Sequence, residues 1–215
     1  MAESPRSKAR RKRRAWLERL GLLLLAALLV FSATPTGQWA WQRLYTLSGF
    51  RGPAEEAPLE LHFIDVGKAD AILLQCQGKT ALLDAGTWAS GSRVVDYLHR
   101  MGVGRLDYII ASHPDSDHIG GLAQVLEEIP AESLVIYPWP EEMRQSEEFR
   151  QLEEAAFSKQ VPVLEVEAGD ELPFGETYLQ ILGPLKVYEE TNDCSLVVRL
   201  EYEAFSALFC GDIEN

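Results

Sequence analysis

The sequence contains few cysteines, and their arrangement excludes two kinds of scaffold. Only Cys76, Cys194 and Cys210 occur in 215 residues, and their spacing matches no cysteine-based metal motif and gives no sign of a disulfide framework. Cys76 and Cys210 lie in apolar, strand-like runs, where we expect buried thiols. Internal repeats and extended low-complexity segments are also missing. The hydrophobic content of 47% and the 16 glycines are typical of one medium-sized globular α/β domain with a tail, not of a disordered chain.

Basic residues are scarce after residue 19. Residues 1–19 carry eight Lys or Arg and two Glu, whereas the rest of the chain carries 12 basic and 31 acidic residues. The overall net charge of −13 therefore hides a strongly acidic body. Such a surface repels polyanions unless metal ions or a local basic groove intervene. Nucleic acid is accordingly a disfavoured partner for this part of the protein.

Charged residues are absent between Arg19 and Arg43, which leaves 23 uncharged residues. A membrane-spanning helix needs about 20 residues, and the basic cluster before the stretch marks the cytoplasmic side. We predict a basic cytoplasmic tail over residues 1–19, a transmembrane anchor or signal over 20–42, and a linker over 43–57. The domain over 58–215 would then lie outside the cytoplasmic membrane, held by a single pass.

A cleaved secretory signal is the alternative interpretation of the same stretch. Its densest apolar part, residues 20–33, has a length typical of a signal peptide. However, cleavage after Ala33 would place the bulky Phe31 three residues before the cut, and we find no small-x-small site. An uncleaved anchor is favoured, and a cleaved signal would give a secreted domain instead.

From residue 59 onwards, short runs rich in β-forming residues alternate with helical patterns. Gly78 marks the turn of a hairpin, and Val94, Val95 and Leu98 share one face of a predicted helix. Strand runs interleaved with helices predict an α/β fold of layered sheets covered by helices. The predicted strands are residues 59–66, 70–76, 79–84, 107–112, 133–137, 161–165, 177–182, 195–202 and 205–210, and the predicted helices are residues 91–101, 119–128 and 141–157.

The strongest chemical signal is the segment 112–121, SHPDSDHIGG. Four potential metal ligands, His113, Asp115, Asp117 and His118, lie within six residues, between an apolar strand and a helix. Carboxylate and imidazole groups are ligands that suit Zn²⁺, Mn²⁺ or Fe²⁺. Alternate residues of an extended stretch point the same way, and the turn into the helix brings His118 beside them. The sequence therefore predicts a metal site.

With this segment the chain resembles the metallo-β-lactamase superfamily, whose usual motif is HxHxDH. Asp115 replaces the second His, and the resulting HxDxDH variant is similar to the exported domain of ComEC-type DNA-uptake competence proteins and their stand-alone relatives. The resemblance runs from about residue 59 to the last residue and implies an αββα sandwich. Further matching segments are 63–71 (FIDVGKADA), 82–86 (LLDAG), 192–200 (NDCSLVVRL) and 209–212 (FCGD).

The resemblance implies two divalent metal ions, Zn²⁺ in the first place, with Mn²⁺ and Fe²⁺ as alternatives. His113 and Asp115 would bind the first ion, Asp117 and His118 the second, and Asp212 would bridge both. A hydroxide between the ions would attack the substrate, because metal binding lowers the pKa of water from about 15.7 towards about 7. Asp117 would also act catalytically by orienting this nucleophile.

Three further carboxylates, Asp65, Asp70 and Asp84, close or open strands near the ligand loop. One interpretation is that they support the metal ligands through hydrogen bonds. The other is that they cap the turns at the strand ends. The sequence leaves both interpretations open.

The chain departs from the family pattern in three places. Lys68-Ala69 stands where the family usually has Gln-Gly, so we expect a different contact with the substrate. No His occupies the position of a further first-metal ligand, and whether Asn192 or Asp193 reaches the metal is left open. The chain also ends three residues after Asp212. We therefore expect these residues to be the front part of the fold, incomplete on its C-terminal side and poorly active alone.

The implied function is that of an exported, membrane-anchored hydrolase with a dinuclear metal site. A phosphodiester or related phosphoester, small or polymeric, is the implied substrate, and the Asp at position 115 argues against true β-lactam hydrolysis. A competence-type nuclease is an alternative, although the acidic body disfavours strong binding to DNA. A non-catalytic surface or binding domain with a vestigial metal site is the alternative from another class.

Overall fold

The computed structural model describes one continuous segment, residues 58–214, and four separate residues before it, Trp16, Val30, Phe31 and Thr34. Apart from those four residues, the predicted tail over 1–19, membrane segment over 20–42 and linker over 43–57 lie outside the described residues. Within the described part of the chain, no helix combines the length and the apolar character needed to cross a membrane. The architecture given below is that of residues 58–214.

Ten strands and four α-helices form the domain. The strands are β1 (Leu59–Phe63), β2 (Ile72–Cys76), β3 (Lys79–Leu83), β4 (Leu106–Ile110), β5 (Ala131–Ile136), β6 (Val163–Glu165), β7 (Glu171–Phe174), β8 (Thr177–Gly183), β9 (Val197–Tyr202) and β10 (Phe205–Phe209). The helices are α1 (Gly91–Arg100), α2 (Ser116–Ile119), α3 (Leu122–Glu128) and α4 (Glu147–Lys159). Short 3₁₀ turns occupy Trp88–Ser90, Met143–Gln145 and Asn192–Cys194.

The strands are arranged in two sheets. Sheet A has six strands in the order β1-β2-β3-β4-β5-β6, and sheet B has four in the order β10-β9-β8-β7. In sheet A the first three strands are antiparallel, and β3 to β6 are parallel. Parallel neighbours need crossover connections, which are supplied here by α1, by α2 with α3, and by α4. Sheet B is antiparallel throughout.

Both faces of sheet A are covered. Leu73 and Leu74 are consecutive in β2, so their side chains point to opposite faces, and both are fully buried. Ile109 and Ile110 repeat this pattern in β4. Uninterrupted apolar runs of this kind are typical of strands that lie between two other layers. A single core cluster joins residues of sheet A, sheet B and the helices.

Sheet B is covered on one face only among the described residues. Leu179 and Ile181 in β8 are fully buried, whereas their neighbours Tyr178 and Leu182 are exposed. Leu208 of β10 is exposed as well. The predicted layered α/β fold is therefore confirmed, with one helical layer and two sheets described. A second helical layer over sheet B is not part of the described structure.

Most elements lie within a few residues of their predicted bounds, and three differ more. Strand β7 lies where no strand was predicted. It contains Pro173, which cannot donate a ladder hydrogen bond, but β7 is an edge strand, where proline is tolerated. The helix predicted over 119–128 is two helices separated at Gly120 and Gly121. The helix predicted over 141–157 begins only after Ser146, whose hydroxyl caps it. The expected buried thiol is confirmed for Cys76 and wrong for Cys210, which is exposed where β10 ends.

Candidate metal centre

The predicted ligand loop lies where two parallel strands end. The carboxyl ends of β3 and β4 meet at one edge of sheet A, so Asp84 after β3 is brought beside Ser112 and His113 after β4. Backbone hydrogen bonds continue past the strands, from Asp84 N to Ile110 O at 3.0 Å and from Ala111 N to Val135 O at 3.0 Å. The loop is therefore held by the regular pairing of the sheet.

His113, His118 and Asp212, here called the metal centre, bring three donor atoms together within 4.8 Å of one another. The two imidazole rings are buried and lie 4.1 Å apart between centroids. Nε2 of His118 lies 3.3 Å from a carboxylate oxygen of Asp212. The Asp212 side chain is 47% exposed, so the group is closed on the histidine side and open to solvent on the aspartate side.

Asp212 reaches the metal centre from sheet B, one turn after β10. Its backbone N–H contacts Oγ of Ser195 at 3.4 Å, and Ser195 donates to Asn192 O at 2.6 Å. Gly211 has φ +53°, and a Cβ at this position would lie 2.8 Å from Oγ of Ser195. Leu196 N donates to Ser112 O at 2.7 Å, which ties this segment of sheet B to the ligand loop.

A buried hydrogen-bond network fixes the orientation of both imidazoles. Asp84 accepts from Ser112 N at 2.9 Å, from Ser112 Oγ at 2.5 Å and from His118 Nδ1 at 2.9 Å. The single hydroxyl proton of Ser112 is used on Asp84, so its oxygen accepts from His113 Nδ1 at 3.0 Å. Each ring therefore carries its hydrogen on Nδ1 and directs Nε2 towards the centre.

The donor set fits a divalent metal ion. His113 Nε2 is buried and has no hydrogen-bond partner within the described chain, although buried polar atoms are almost always paired. With the hydrogen on Nδ1, this atom presents a lone pair, as a metal ligand must. Two imidazole nitrogens and a carboxylate suit Zn²⁺, Mn²⁺ or Fe²⁺. A metal ion at this position would satisfy the unpaired nitrogen.

The two histidines differ in their affinity for a proton. Burial lowers the pKa of His113, and the positive charge of His118 lowers it further, so this ring is neutral. Burial also opposes protonation of His118, but the hydrogen bond and charge of Asp84, together with Asp212, raise its pKa to about 9. At neutral pH, when no metal ion is bound, His118 is therefore the positively charged imidazole of the pair and His113 is the neutral one.

Asp115 and Asp117 lie beside the three-residue group without belonging to it. A carboxylate oxygen of Asp115 is 3.9 Å from His113 Nε2, and Asp115 precedes α2. Asp117 is half-buried in the first turn of α2, and its carbonyl oxygen accepts from Asp70 N at 3.4 Å. Both stand next to the metal centre, and their predicted role as ligands remains a prediction.

The three supporting carboxylates take different positions. Asp84 contacts His118 directly, as the first interpretation requires. Asp65 accepts from Gly67 N at 3.2 Å, which is the turn-capping contact of the second interpretation. Asp70 is bonded through its backbone to Asp117 and Gly86. Burial raises the pKa of Asp70, and the charge of His118 acts on it in the opposite direction.

Close backbone contact fixes the turn after β3 against the ligand loop. Ala85 N donates to His118 O at 2.9 Å, and Gly121 N donates to Gly86 O at 2.9 Å. A Cβ at Gly121 would lie 2.3 Å from Ala85 O, so the chains can approach this closely only at a glycine. Gly120 allows a similar approach, because a Cβ there would lie 2.7 Å from Trp88 N.

Two contributing residues, Ser112 and Ser195, carry no signal in the sequence that would identify their role. Both lie inside matched segments, but a serine beside a histidine is common and carries no signal of its own. Their role depends on where Asp84 and Asp212 are placed by the fold. Only the convergence of distant segments shows that Ser112 links Asp84 to His113.

Comparison with known proteins agrees with this geometry. Residues 64–215 match the family model described as the metallo-beta-lactamase superfamily. "Recombination protein 2" of Haemophilus influenzae is 30% identical over 157 residues, which cover 70% of this chain and 18% of that protein. "ComE operon protein 3" of Bacillus subtilis is 27% identical over 175 residues, covering 73% of this chain and 22% of that protein. The chain thus spans about a fifth of the length of these relatives.

A solved structure shares the fold at low sequence identity. The "MIM-2 Metallo-Beta-Lactamase" superposes with a TM-score of 0.51 at 18% identity, covering 79% of this chain and 67% of that chain. A likeness at this identity concerns the fold alone. The predicted resemblance to metallo-β-lactamase and competence-type proteins is confirmed.

Proposed function

The chain belongs to the metallo-β-lactamase superfamily, and from this premise we propose that it is a metal-dependent hydrolase of a phosphodiester or related phosphoester. The observation that carries the proposal is the unpaired, buried Nε2 of His113, which lies in one group with His118 and Asp212. A polar atom buried without a partner is costly unless a ligand completes it. Stability of the fold does not require two buried imidazoles to converge on one exposed carboxylate, so the arrangement favours a ligand-binding role.

The residues of the chain have distinct tasks in this proposal. Bound divalent ions, two in the proposed site, would supply a water activated at neutral pH and a positive charge for the substrate oxygens. His113 and His118 would hold them through Nε2, and Asp212 through its carboxylate. Asp115 and Asp117, adjacent to this group, would complete the ligand set. Asp84 and Ser112 fix the imidazole tautomers and touch no substrate.

The open side of the site indicates where a substrate would enter. The histidine side is sealed by the core, whereas Asp212 is exposed and Asp115 partly exposed. A phosphoester would therefore approach over these two carboxylates, whose negative charge repels it until metal ions are bound. The resemblance to competence-type proteins and the Asp at position 115 support a phosphoester over a β-lactam.

We further propose that the domain works outside the cytoplasmic membrane. The support is the basic cluster over residues 1–19 before the uncharged stretch over 20–42. Protease added to intact cells should remove a tag placed after residue 215. Protection of the tag in intact cells, with cleavage after lysis, would contradict the proposed orientation.

The hydrolase proposal is tested with the full chain. Metal is stripped with a chelator, Zn²⁺ or Mn²⁺ is restored, and hydrolysis of bis(p-nitrophenyl) phosphate, p-nitrophenyl phosphate and a chromogenic β-lactam is compared. We expect metal-dependent cleavage of a phosphoester that Asp212→Asn abolishes. Glu214→Gln, two residues away and exposed, is the matched control and should keep the activity. Metal binding without any hydrolysis would instead support a non-catalytic binding domain.

A further inference from the structure

We propose that Lys68, Trp88 and Arg93, here called the rim, bind the substrate beside the metal centre and favour a phosphoester that carries a planar ring next to its phosphate. The inference rests on the proposed function, because it concerns the substrate of that same site. It assigns a role to three residues that the metal centre does not use.

The backbone of Trp88 is fixed beside the metal centre. The preceding turn is bonded to the ligand loop through Ala85 N to His118 O and Gly121 N to Gly86 O, both at 2.9 Å. The side-chain amide of Gln124 donates to Trp88 O at 2.9 Å. The backbone around Trp88 is therefore held by the ligand loop and by α3, the helix that follows it.

The side chain of Trp88 is 53% exposed although its backbone is held. A single exposed aromatic residue is common and needs no explanation by itself. An indole attached to a fixed backbone, however, offers a flat apolar surface with only two side-chain torsions left to order. Such a surface stacks on planar rings of a ligand without reading their identity. In the proposed rim, this surface would stack on a ring of the ligand, because the turn that carries Trp88 is bonded to the ligand loop.

Lys68 and Arg93 supply positive charge on the neighbouring loop. Lys68 is an exposed residue of the β1–β2 connection. This connection is bonded to Asp117 of the ligand loop through Asp70 N at 3.4 Å, and to the turn after β3 through Gly86 N to Asp70 O at 2.8 Å. Arg93 Nη1 donates to the carbonyl oxygen of Asp65 at 3.0 Å in the same connection. Both cations are therefore attached to the segments that border the metal centre.

These two cations differ from most others of the acidic domain. Within residues 58–214, neither Lys68 nor Arg93 forms a salt bridge with a carboxylate. Five other basic residues are paired in this way: Lys79, Arg105, Arg144, Arg150 and Arg199. Cations that have no carboxylate partner can pair with an anionic ligand once bound metal ions offset the charge of the neighbouring carboxylates. A phosphate oxygen is a ligand group that such cations bind.

Together the rim predicts one ligand chemistry. The cations interact with the phosphate, and the indole stacks on a ring attached to it. Neither feature selects for a simple alkyl phosphoester, which has no ring to stack. A ring-bearing phosphoester should therefore bind more tightly than its alkyl counterpart, and the difference should depend on Trp88.

The test compares two ligands that cannot be hydrolysed, phenylphosphonate and methylphosphonate. Their binding to the full, Zn²⁺-loaded chain is measured by calorimetry, so the result does not depend on turnover. Trp88→Ala should weaken phenylphosphonate about fivefold to tenfold, in the lower range for one stacked ring, and leave methylphosphonate unchanged. Lys68→Gln should weaken both ligands about threefold, since it removes an exposed charge near the phosphate.

The matched control is Phe157→Ala, which removes an aromatic side chain that is 87% exposed on α4. It should change neither affinity. Equal affinity of the wild-type chain for both phosphonates, or an unchanged phenylphosphonate affinity in Trp88→Ala, would overturn the inference. A failure to hydrolyse any phosphoester would count against the proposed function alone, because the binding experiment involves no hydrolysis.

Discussion

Oδ2 of Asp84 accepts a hydrogen bond from Nδ1 of His118 at 2.9 Å, in a site where both side chains are buried. This contact fixes the imidazole tautomer and leaves Nε2 directed towards Asp212. Asp84 has φ +56°, an unusual conformation for a residue other than glycine, and it is held there by the bond from its N–H to Ile110 O. The metal centre therefore depends on a residue that is not itself part of it.

Asp84→Asn should lower the affinity for Zn²⁺ by about 10- to 100-fold, the range seen when a partner of a metal-bound histidine is lost. The amide nitrogen of asparagine is itself a donor and would face the donor groups of His118 and Ser112 without a hydrogen bond. The fold should be retained, because asparagine tolerates the left-handed backbone conformation of this position. Affinity is measured by competition with a chelator, and circular dichroism checks the fold. Asp65→Asn is the control, because the Asp65 carboxylate accepts only from Gly67 N among the described contacts. Equal affinity of Asp84→Asn and wild type would contradict this role.

Ser112→Ala should weaken metal binding through His113. The hydroxyl is the hydrogen-bond partner of His113 Nδ1, so its loss leaves a buried donor unpaired and the ring free to reorient. We expect a destabilisation of about 1–3 kcal/mol in denaturant unfolding, together with a lower affinity for Zn²⁺. Because Ser112 also donates to Asp84, the effects of Ser112→Ala and Asp84→Asn should not add in the double variant. Strict additivity would show that the two residues act separately.

The raised pKa of His118 predicts opposite pH effects on stability and on metal binding. Its pKa is about 9 in the folded, metal-free protein, against 6.5 for a free histidine. Protonated His118 therefore stabilises the metal-free fold fully below about pH 6.5, and this contribution is lost as the pH rises to about 9. Metal affinity should rise over the same interval, because the ion must displace that proton.

The measurement is the free energy of unfolding of the metal-free chain between pH 6 and about 9.5. His118→Gln removes the titrating group, so the difference between wild type and variant isolates its contribution. The wild-type excess should shrink with increasing pH. An excess that grows over this interval would mean that the folded-state pKa of His118 is not raised.

Gly121→Ala should disturb both the fold and the metal centre. The added Cβ would lie 2.3 Å from the carbonyl oxygen of Ala85, so the turn that bonds to His118 would have to shift. A cost of about 1–3 kcal/mol is typical of an overpacked site, and Zn²⁺ affinity should fall with it. Gly104→Ala is the matched control, because no atom lies within 4 Å of a Cβ built there. The thermal unfolding of both variants is compared. An equal loss of stability at the two positions would contradict a steric clash at Gly121 as the cause.

Much of this arrangement could be predicted from the sequence because its segments are local. The apolar strands and the segment 112–121 gave the layered fold and the ligand loop without long-range information. Strand β7 was missed because Pro173 disfavours a strand everywhere except at an edge, and edges are decided only by the assembled sheet. The exposure of Cys210 likewise depends on β10 ending at Phe209, one residue earlier than predicted.

In the metal centre, too, local features were predictable from the sequence and contacts between distant segments were not. His113 and His118 are five positions apart, and their spacing is visible in the sequence. The contact of Asp84 with His118 joins residues 34 positions apart, so it depends on the parallel pairing of β3 and β4. The sequence could therefore not decide whether Asp65 and Asp84 support a metal ligand or cap a turn. The contacts of the folded chain decide it. The exposed position of Trp88 beside the ligand loop was equally invisible, because a tryptophan in an apolar sequence is usually expected in the core.

The most direct test of the account is the metal content of the full chain. The metal-stripped protein is dialysed against a small excess of Zn²⁺, and bound zinc is determined by elemental analysis for wild type and for the double variant His113→Ala/His118→Ala. The control is His99→Ala, which removes a half-buried histidine in the last turn of α1. We expect two zinc ions per wild-type chain, the same content in the control, and none in the double variant. A wild-type chain that retains no zinc, or a double variant that retains as much as wild type, would contradict it.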